Sequence, residues 1–206
     1  MRRKQKRIER FLDYQGIASL IRDFVFPSGG FTLEMGSGNG QFLNQLAERY
    51  PERLFIGIDR KRDRLSKACG EAQLKGLKNV RYVHALVESL SDYIQSETTD
   101  EIWIQFPDPY PKPSKCERRL IHPHYLAFYH RIMVPGGIFH FKTDNPGLFE
   151  FGLESIRDIH PQFQILEVCR NLQQDERDDD GGIQTKYESV WRKQNLSIYY
   201  LRAARC

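Results

Sequence analysis

Short apolar segments alternate along this chain with segments of helical periodicity, and this alternation restricts the fold more than any other feature. Residues 31–35 and 54–59 are typical of buried strands, and residues 41–50 between them place apolar side chains at helical spacing. Such alternation predicts an α/β fold with a mostly parallel sheet and helices on both faces. The predicted strands are residues 31–35, 54–59, 80–85, 101–106, 138–143, 163–168 and 196–203. The predicted helices are residues 41–50, 60–75, 125–134 and 146–160.

The last two predicted strands are separated by a long polar stretch without a full helical crossover. This connection permits an antiparallel strand at one edge of the sheet. Its acidic part, residues 173–182, is interpreted as a solvated loop.

Length and composition favour a single folded domain and argue against a disordered or membrane protein. A chain of 206 residues can bury one substantial core, and we divide it into an N-terminal arm, residues 1–15, and a folded domain, residues 16–206. No run of 18 apolar residues and no secretory signal is visible, so we expect a cytoplasmic protein. The four cysteines are widely spaced, which disfavours a disulfide framework or a zinc knuckle, and no metal is expected.

Positive charge is concentrated at the N-terminus. The formal net charge is +4, and the first ten residues hold six basic side chains and one acidic one, so the remainder is nearly neutral. A basic arm suits a polyanion such as nucleic acid, and a solubilising tail explains it equally well.

A glycine-rich loop joins the first predicted strand to the first predicted helix. Gly36, Gly38 and Gly40 form a GxGxG pattern, which allows a tight turn and a close approach of backbone to a ligand. The third glycine comes one residue too early for the dinucleotide pattern GxGxxG. Glu34 precedes the loop, and its carboxylate would repel a pyrophosphate but attract a cation. The loop therefore favours S-adenosylmethionine, which carries an ammonium and a sulfonium group.

A second acid, Asp59, ends the next predicted strand. An acid at this position can accept hydrogen bonds from both ribose hydroxyls of an adenosine cofactor. The structural alternative makes Asp59 a helix N-cap and Glu34 a surface residue. The glycines and both acids together favour the cofactor interpretation.

The fourth predicted strand ends in Phe-Pro-Asp-Pro-Tyr-Pro-Lys, residues 106–112. Ligands of open α/β sheets bind beyond the carboxyl ends of strands, so Asp108 is expected beside the cofactor. Flanking prolines restrict its backbone, and Tyr110 offers a ring on which a planar base can stack. A rigid surface turn is the alternative. Four basic residues that follow are interpreted as phosphate contacts or as a solvated loop: Lys112, Lys115, Arg118 and Arg119.

Five motifs occur in an order that resembles the bacterial tRNA (guanine-N7-)-methyltransferases of the TrmB type: LEMGSGNG, GIDRKR, FPDPYPK, FKTDN and TKYE. The resemblance runs from about Phe31 to the C-terminus, and FPDPYPK and TKYE are its specific parts. It implies a class I, Rossmann-like S-adenosylmethionine-dependent methyltransferase with a seven-stranded sheet. It also implies methyl transfer to N7 of guanine 46 in the tRNA variable loop. We expect tRNA as the partner, no membrane, and a monomer or homodimer.

The resemblance also implies roles for individual residues. The cofactor-binding set is Glu34, Gly36, Gly38, Gly40, Asp59, Leu86 and Asp108, and Asp108 is in addition the catalytic residue. The substrate-binding set is Lys112, Asp144, Thr185, Lys186, Tyr187 and Glu188. Leu86 stands where the family usually has Asp or Asn, so apolar or backbone contact to the adenine replaces a side-chain hydrogen bond.

Parts of the substrate-binding set have structural explanations as well. Thr185 and Glu188 form a capping-box pattern ahead of an apolar stretch. Asp144 precedes Asn145 and Pro146, which are typical of an N-cap followed by proline at the first helical position. Each segment can begin a helix and also bind substrate.

The expected chemistry needs no general base, because guanine N7 already has a free lone pair. Catalysis then depends on positioning and electrostatics, with Asp108 stabilising the guanine as it becomes cationic. Asp144 or Glu188 is expected to accept hydrogen bonds from guanine N1–H and the exocyclic amine. Three other functions compete: an amino-methyltransferase acting on DNA or protein, a dinucleotide oxidoreductase, and a noncatalytic RNA-binding module.

Overall fold

The computed structural model describes residues 11–159, 162–172, 183 and 185–206. The chain divides into two compact units, Met1–Thr98 and Thr99–Cys206, which we call the N-terminal and C-terminal units. Most of the predicted basic arm and the whole acidic stretch 173–182 lie outside the described residues. The predicted boundary at residue 15 stays a prediction, although Phe11 is fully buried.

The main elements of the N-terminal unit, within its described residues, are four strands and two α-helices. The strands are β1 (Ala18–Leu20), β2 (Phe31–Met35), β3 (Leu54–Asp59) and β4 (Val80–His84). The helices are α1 (Gln41–Arg49) and α2 (Arg62–Leu74). The strand order is β1-β4-β3-β2, and every pair is parallel. Because parallel strands end at the same edge, the residues that follow β2, β3 and β4 share one rim of this unit.

The C-terminal unit contains four strands and three α-helices within its described residues. The strands are β5 (Thr99–Gln105), β6 (Met133–Thr143), β7 (Phe163–Cys169) and β8 (Tyr199–Arg205). The helices are α3 (Pro123–Ile132), α4 (Pro146–Glu154) and α5 (Lys186–Lys193). The order is β5-β6-β8-β7, in which β5 and β6 are parallel and β8 is antiparallel to both of its neighbours.

The structure corrects the predicted strands in three respects. The described residues hold eight strands instead of seven, and the additional strand is the three-residue β1. Strand β6 begins at Met133, five residues before the predicted start, and continues through a Pro-Gly-Gly sequence. The antiparallel strand β8 lies between β6 and β7, so it is not at an edge.

Two predicted helix starts are confirmed by their capping bonds. The Asn145 side chain accepts a hydrogen bond of 2.8 Å from the backbone amide of Leu148, and Pro146 is the first residue of α4. The Thr185 hydroxyl accepts one of 3.1 Å from the amide of Glu188 and begins α5. Such caps satisfy amide groups that have no partner inside the helix. Within the described part of the chain, no helix is long and apolar enough to cross a bilayer.

Candidate functional site

The glycine-rich loop of the N-terminal unit turns sharply from β2 into α1. Gly36, Gly38 and Gly40 have φ angles of 81°, 55° and 70°, a region that side chains other than glycine rarely adopt. The backbone amides of Gly36 and Ser37 donate to the carbonyl of Ile58 at 2.8 and 2.9 Å. The loop is thereby attached to the end of β3 in a conformation that its glycines permit.

Tyr82, a buried residue of β4, packs against this loop. A Cβ atom added at Gly40 would lie 2.2 Å from the Tyr82 hydroxyl, and one added at Gly57 would lie 2.7 Å from the Tyr82 ring. The hydroxyl donates to Asn44 Oδ1 at 2.8 Å. Sequence reasoning missed Tyr82, although a glycine inside the strand β3 is a signal of close approach by another group.

Asp59 is bound to backbone amides on both sides of its carboxylate. Its Oδ2 accepts a hydrogen bond of 2.9 Å from Gly38, and its Oδ1 accepts one of 2.7 Å from Lys61. The N-cap residue of α2 is Lys61, so the alternative that made Asp59 the cap is wrong. The remaining lone pairs of the carboxylate are available to a ligand that offers hydroxyl groups.

Glu34 is a buried carboxyl without a hydrogen bond to one of its oxygens. The side chain is 4% exposed and its Oε2 atom has no hydrogen-bond partner, which excludes the surface alternative. Burial, and after it the negative charge of Asp59, raise the pKa of Glu34 to about 8. A buried carboxylate is stable only when it is paired, so this position fits a cationic group of a ligand. The ammonium and sulfonium of S-adenosylmethionine meet that requirement.

Leu86 is the second residue after β4 and is 54% exposed. It precedes a short 3-10 helix, Val87–Asp92, and its carbonyl accepts from the Ser89 amide and hydroxyl. An exposed apolar side chain at the carboxyl end of a parallel strand offers a surface to an aromatic ring. This is the kind of contact that the sequence predicts for the adenine.

The loop that carries Asp108 is strained on both sides of that residue. Phe106 and Tyr110 have φ angles of 46° and 41°. Each such angle costs about 1–3 kcal/mol in a residue other than glycine, and conformations of this kind cluster at active sites. Asp108 lies between them with its side chain exposed. The strain favours a functional loop over a simple surface turn.

The basic residues after this loop do not share one environment. Lys112, Lys115 and Arg118 are exposed, as contacts to phosphate require. Arg119 is half-buried, and its guanidinium donates to the carbonyls of Pro109 and Tyr110. The interpretation of Arg119 as a phosphate contact is therefore replaced by a contact to the Asp108 loop.

One predicted substrate-binding residue of α5, Glu188, forms ion pairs with Lys142 and Arg192. Glu188 is 1% exposed, and its Oε1 accepts from the Arg192 guanidinium at 2.9 Å. Its Oε2 lies 3.6 Å from Nζ of Lys142, which is also buried. The side chains of Lys186 and Tyr187 lie outside the described residues. Asp144 is half-buried and stands immediately before the N-cap of α4.

Comparison with known proteins identifies the family. The model of a family described as "Putative methyltransferase" matches residues 29–201. A tRNA (guanine-N(7)-)-methyltransferase of Staphylococcus epidermidis is 36% identical over 171 residues, which cover 83% of this chain and 78% of that protein. The same coverage applies to a tRNA (guanine-N(7)-)-methyltransferase of Lactococcus lactis subsp. cremoris, which is 35% identical. This chain belongs to the bacterial tRNA (guanine-N7-)-methyltransferase family.

Solved structures support the fold of this family member. The 16S rRNA methyltransferase KamB superposes with a TM-score of 0.64 at 18% identity, covering 85% of this chain and 87% of KamB. The predicted class I, Rossmann-like methyltransferase fold is confirmed, with one strand more than expected. The predicted enzyme class and the S-adenosylmethionine cofactor are confirmed with it. Among the described residues, no group of three or more metal-ligating side chains is found.

Proposed function

We propose that this protein transfers the methyl group of S-adenosylmethionine to N7 of guanine 46 in the variable loop of tRNA, acting in the cytoplasm. The observation that carries the proposal is the buried carboxyl of Glu34, whose Oε2 atom has no hydrogen-bond partner, beside a loop of three glycines. A pyrophosphate would oppose the ionisation of this carboxyl, whereas a cationic methyl donor supplies the missing partner. Relatives at 35–36% identity that act on guanine N7 of tRNA support the acceptor.

Contacts within the N-terminal unit support the cofactor-binding roles. Glu34 pairs with the cationic end of S-adenosylmethionine, and Asp59 accepts from its ribose hydroxyls. Leu86 packs against the adenine, and the three glycines keep the loop free of side chains so that its backbone can approach the ligand. When bound, the cofactor supplies an electrophilic methyl group on a sulfonium.

Asp108 is the proposed catalytic residue. Positive charge develops on the purine ring as N7 acquires the methyl group, and a fixed carboxylate beside the ring stabilises that charge. The carboxylate also accepts hydrogen bonds from cofactor or base, but no proton is removed from N7. Strain at Phe106 and Tyr110 supports this role, because it restricts the backbone that carries Asp108.

The tRNA contacts are divided between exposed and half-buried groups. Lys112 is exposed and is assigned to a phosphate, and half-buried Asp144 is assigned to guanine N1–H and the exocyclic amine. Thr185, Lys186 and Tyr187 are assigned to the substrate as the family resemblance implies. Glu188 is enclosed by Arg192 and Lys142, so we assign it the positioning of that segment.

Product analysis tests the proposal. The wild-type protein is incubated with bulk tRNA that lacks 7-methylguanosine and with S-adenosylmethionine labelled in its methyl group. The tRNA is digested and its nucleosides are separated. Label in 7-methylguanosine is the expected result. Label in an exocyclic amine would favour an amino-methyltransferase, and tRNA binding without transfer would favour an RNA-binding module.

A further inference from the structure

Arg119 bridges two consecutive carbonyl groups of the loop that carries Asp108. Its Nε donates to the Pro109 carbonyl at 3.1 Å, and a terminal nitrogen donates to the Tyr110 carbonyl at 3.2 Å. A guanidinium presents its N–H groups in a rigid planar fork, so a single side chain can fix the relative orientation of both carbonyls.

The carbonyl groups of this loop need a hydrogen-bond donor from elsewhere in the chain. Prolines at positions 107, 109 and 111 have no N–H group, so every second residue of the loop cannot donate a backbone hydrogen bond. Tyr110 in addition has a φ of 41°, a backbone conformation that is unfavourable for an aromatic residue. The Arg119 guanidinium contacts the carbonyl of this strained residue.

The same guanidinium is fixed on its other side by helix α4. Its central carbon lies 4.5 Å from the centroid of the Phe151 ring, a cation–π contact. Helix α4 begins immediately after Asp144 and Asn145. Arg119 therefore connects the loop of Asp108 to the helix that follows Asp144, and both acids belong to the C-terminal unit.

We infer that Arg119 is a positioning residue that holds the backbone of the Asp108 loop in its catalytic conformation by clamping the carbonyls of Pro109 and Tyr110 against Phe151. The inference rests on the proposed function, because it matters for turnover only if Asp108 contacts the reacting guanine. Small displacements of a catalytic group are expensive in rate, whereas they change the binding of distant parts of the substrate little.

Kinetics of Arg119→Ala and Arg119→Lys test the inference. We expect kcat for Arg119→Ala to fall by roughly 10- to 100-fold, with KM for tRNA and the affinity for S-adenosylmethionine nearly unchanged. Lysine has no rigid planar fork and holds the relative orientation of the two carbonyls less well, so Arg119→Lys stays impaired. Millimolar guanidinium ion restores part of kcat in Arg119→Ala and has no such effect on the wild type.

Arg170→Ala is the matched control. Arg170 also stacks on a ring of α4, at 5.7 Å from the centroid of Phe149, but it pairs with the exposed carboxylate of Glu150 instead of loop carbonyls. Its loss removes a comparable cation–π contact on the same helix. We expect wild-type kcat in this variant.

Three results would overturn the inference. The first is wild-type kcat in Arg119→Ala with weaker tRNA binding and a shallower salt dependence, as a phosphate contact predicts. The second is a loss of kcat that guanidinium does not restore and that accompanies general unfolding. The third is unchanged hydrogen exchange of residues 106–119 in Arg119→Ala.

The inference and the proposed function can fail separately. Faster exchange of residues 106–119 in Arg119→Ala, together with a wild type that does not methylate guanine N7, would support the clamp and reject the proposed function.

Discussion

The carboxyl group of Asp59, at the end of strand β3, opposes the ionisation of Glu34 near the end of the neighbouring strand β2. Burial of Glu34 is the larger cause and the negative charge of Asp59 the second, and together they raise the pKa of Glu34 to about 8. Asp59 is held by the amides of Gly38 and Lys61. Glu34 therefore tends to hold its proton in the ligand-free protein and to lose it when a cationic ligand binds.

Binding of S-adenosylmethionine is therefore expected to release a proton. Between about pH 6 and pH 7.5 the ionised fraction of a carboxyl with a pKa near 8 rises, so the Kd should fall by roughly twenty-fold. Isothermal titration calorimetry in buffers of different ionisation enthalpy measures both the Kd and the proton release. Glu34→Gln should bind more weakly and without this pH dependence. A variant that binds as tightly as the wild type, with the same pH profile, would reject the role of Glu34.

The same carboxyl makes the stability of the ligand-free protein depend on pH. Its folded pKa of about 8 lies above the unfolded value of 4.5, so the folded state holds the proton more tightly. The contribution of Glu34 to stability is present below about pH 4.5 and is lost as pH rises toward 8. The free energy of unfolding, measured by urea denaturation, should fall by up to about 1.4 kcal/mol per pH unit because of this group. The slope should be absent from Glu34→Gln, and parallel profiles would contradict this expectation.

The packing of Tyr82 against the glycine loop can be tested with two glycines of similar backbone conformation. Gly40 and Gly76 have φ angles of 70° and 67°, but a Cβ at Gly76 meets nothing within 4 Å. Gly76→Ala should destabilise by about 1 kcal/mol, the cost of the backbone conformation. Gly40→Ala should cost several times more and should weaken S-adenosylmethionine binding. A Cβ at Gly40 would also lie 2.5 Å from Cβ of Ala68. Equal effects of the two changes in thermal unfolding and calorimetry would show that Tyr82 and Ala68 do not exclude a side chain at Gly40.

The buried pair of Lys142 and Glu188 should behave differently from an exposed pair. Glu188→Gln removes the negative charge that faces the buried ammonium of Lys142, and losing one member of a buried ion pair costs about 3–5 kcal/mol. The double variant Lys142→Met and Glu188→Gln should recover a large part of that loss. Glu150→Gln, which breaks the exposed pair with Arg170, is the control and should leave stability nearly unchanged. Additive losses in the double variant would indicate that the two buried side chains do not interact.

Much of the fold follows from local sequence, because buried parallel strands and helix caps have strong local patterns. Strands β2 and β3 occupy the predicted residues, and the helices after Asn145 and Thr185 begin where their capping residues predict. Strand β1 was not predictable, since it has only three residues and is formed by pairing with β4. Its signal resides in the partner strand, which a local pattern does not contain.

Part of the candidate site was predictable where residue type alone determines the chemistry. Acids at strand ends and glycines in a tight loop point to Glu34, Asp59 and the loop between β2 and α1. The role of Arg119 was not predictable, because its basic character fits a phosphate as well as a carbonyl, and only the three-dimensional structure shows which it contacts. Positive φ at Phe106 and Tyr110 was also unexpected, since neither residue type favours it.

Single-turnover formation of 7-methylguanosine by Asp108→Asn tests the central claim most directly. The substitution removes the negative charge and keeps the shape of the side chain. With tRNA and S-adenosylmethionine both saturating, the rate should fall by about 10²–10³-fold relative to wild type, while the circular dichroism spectrum and thermal unfolding stay unchanged. A rate within a factor of about two of wild type would contradict the assignment of charge stabilisation to Asp108.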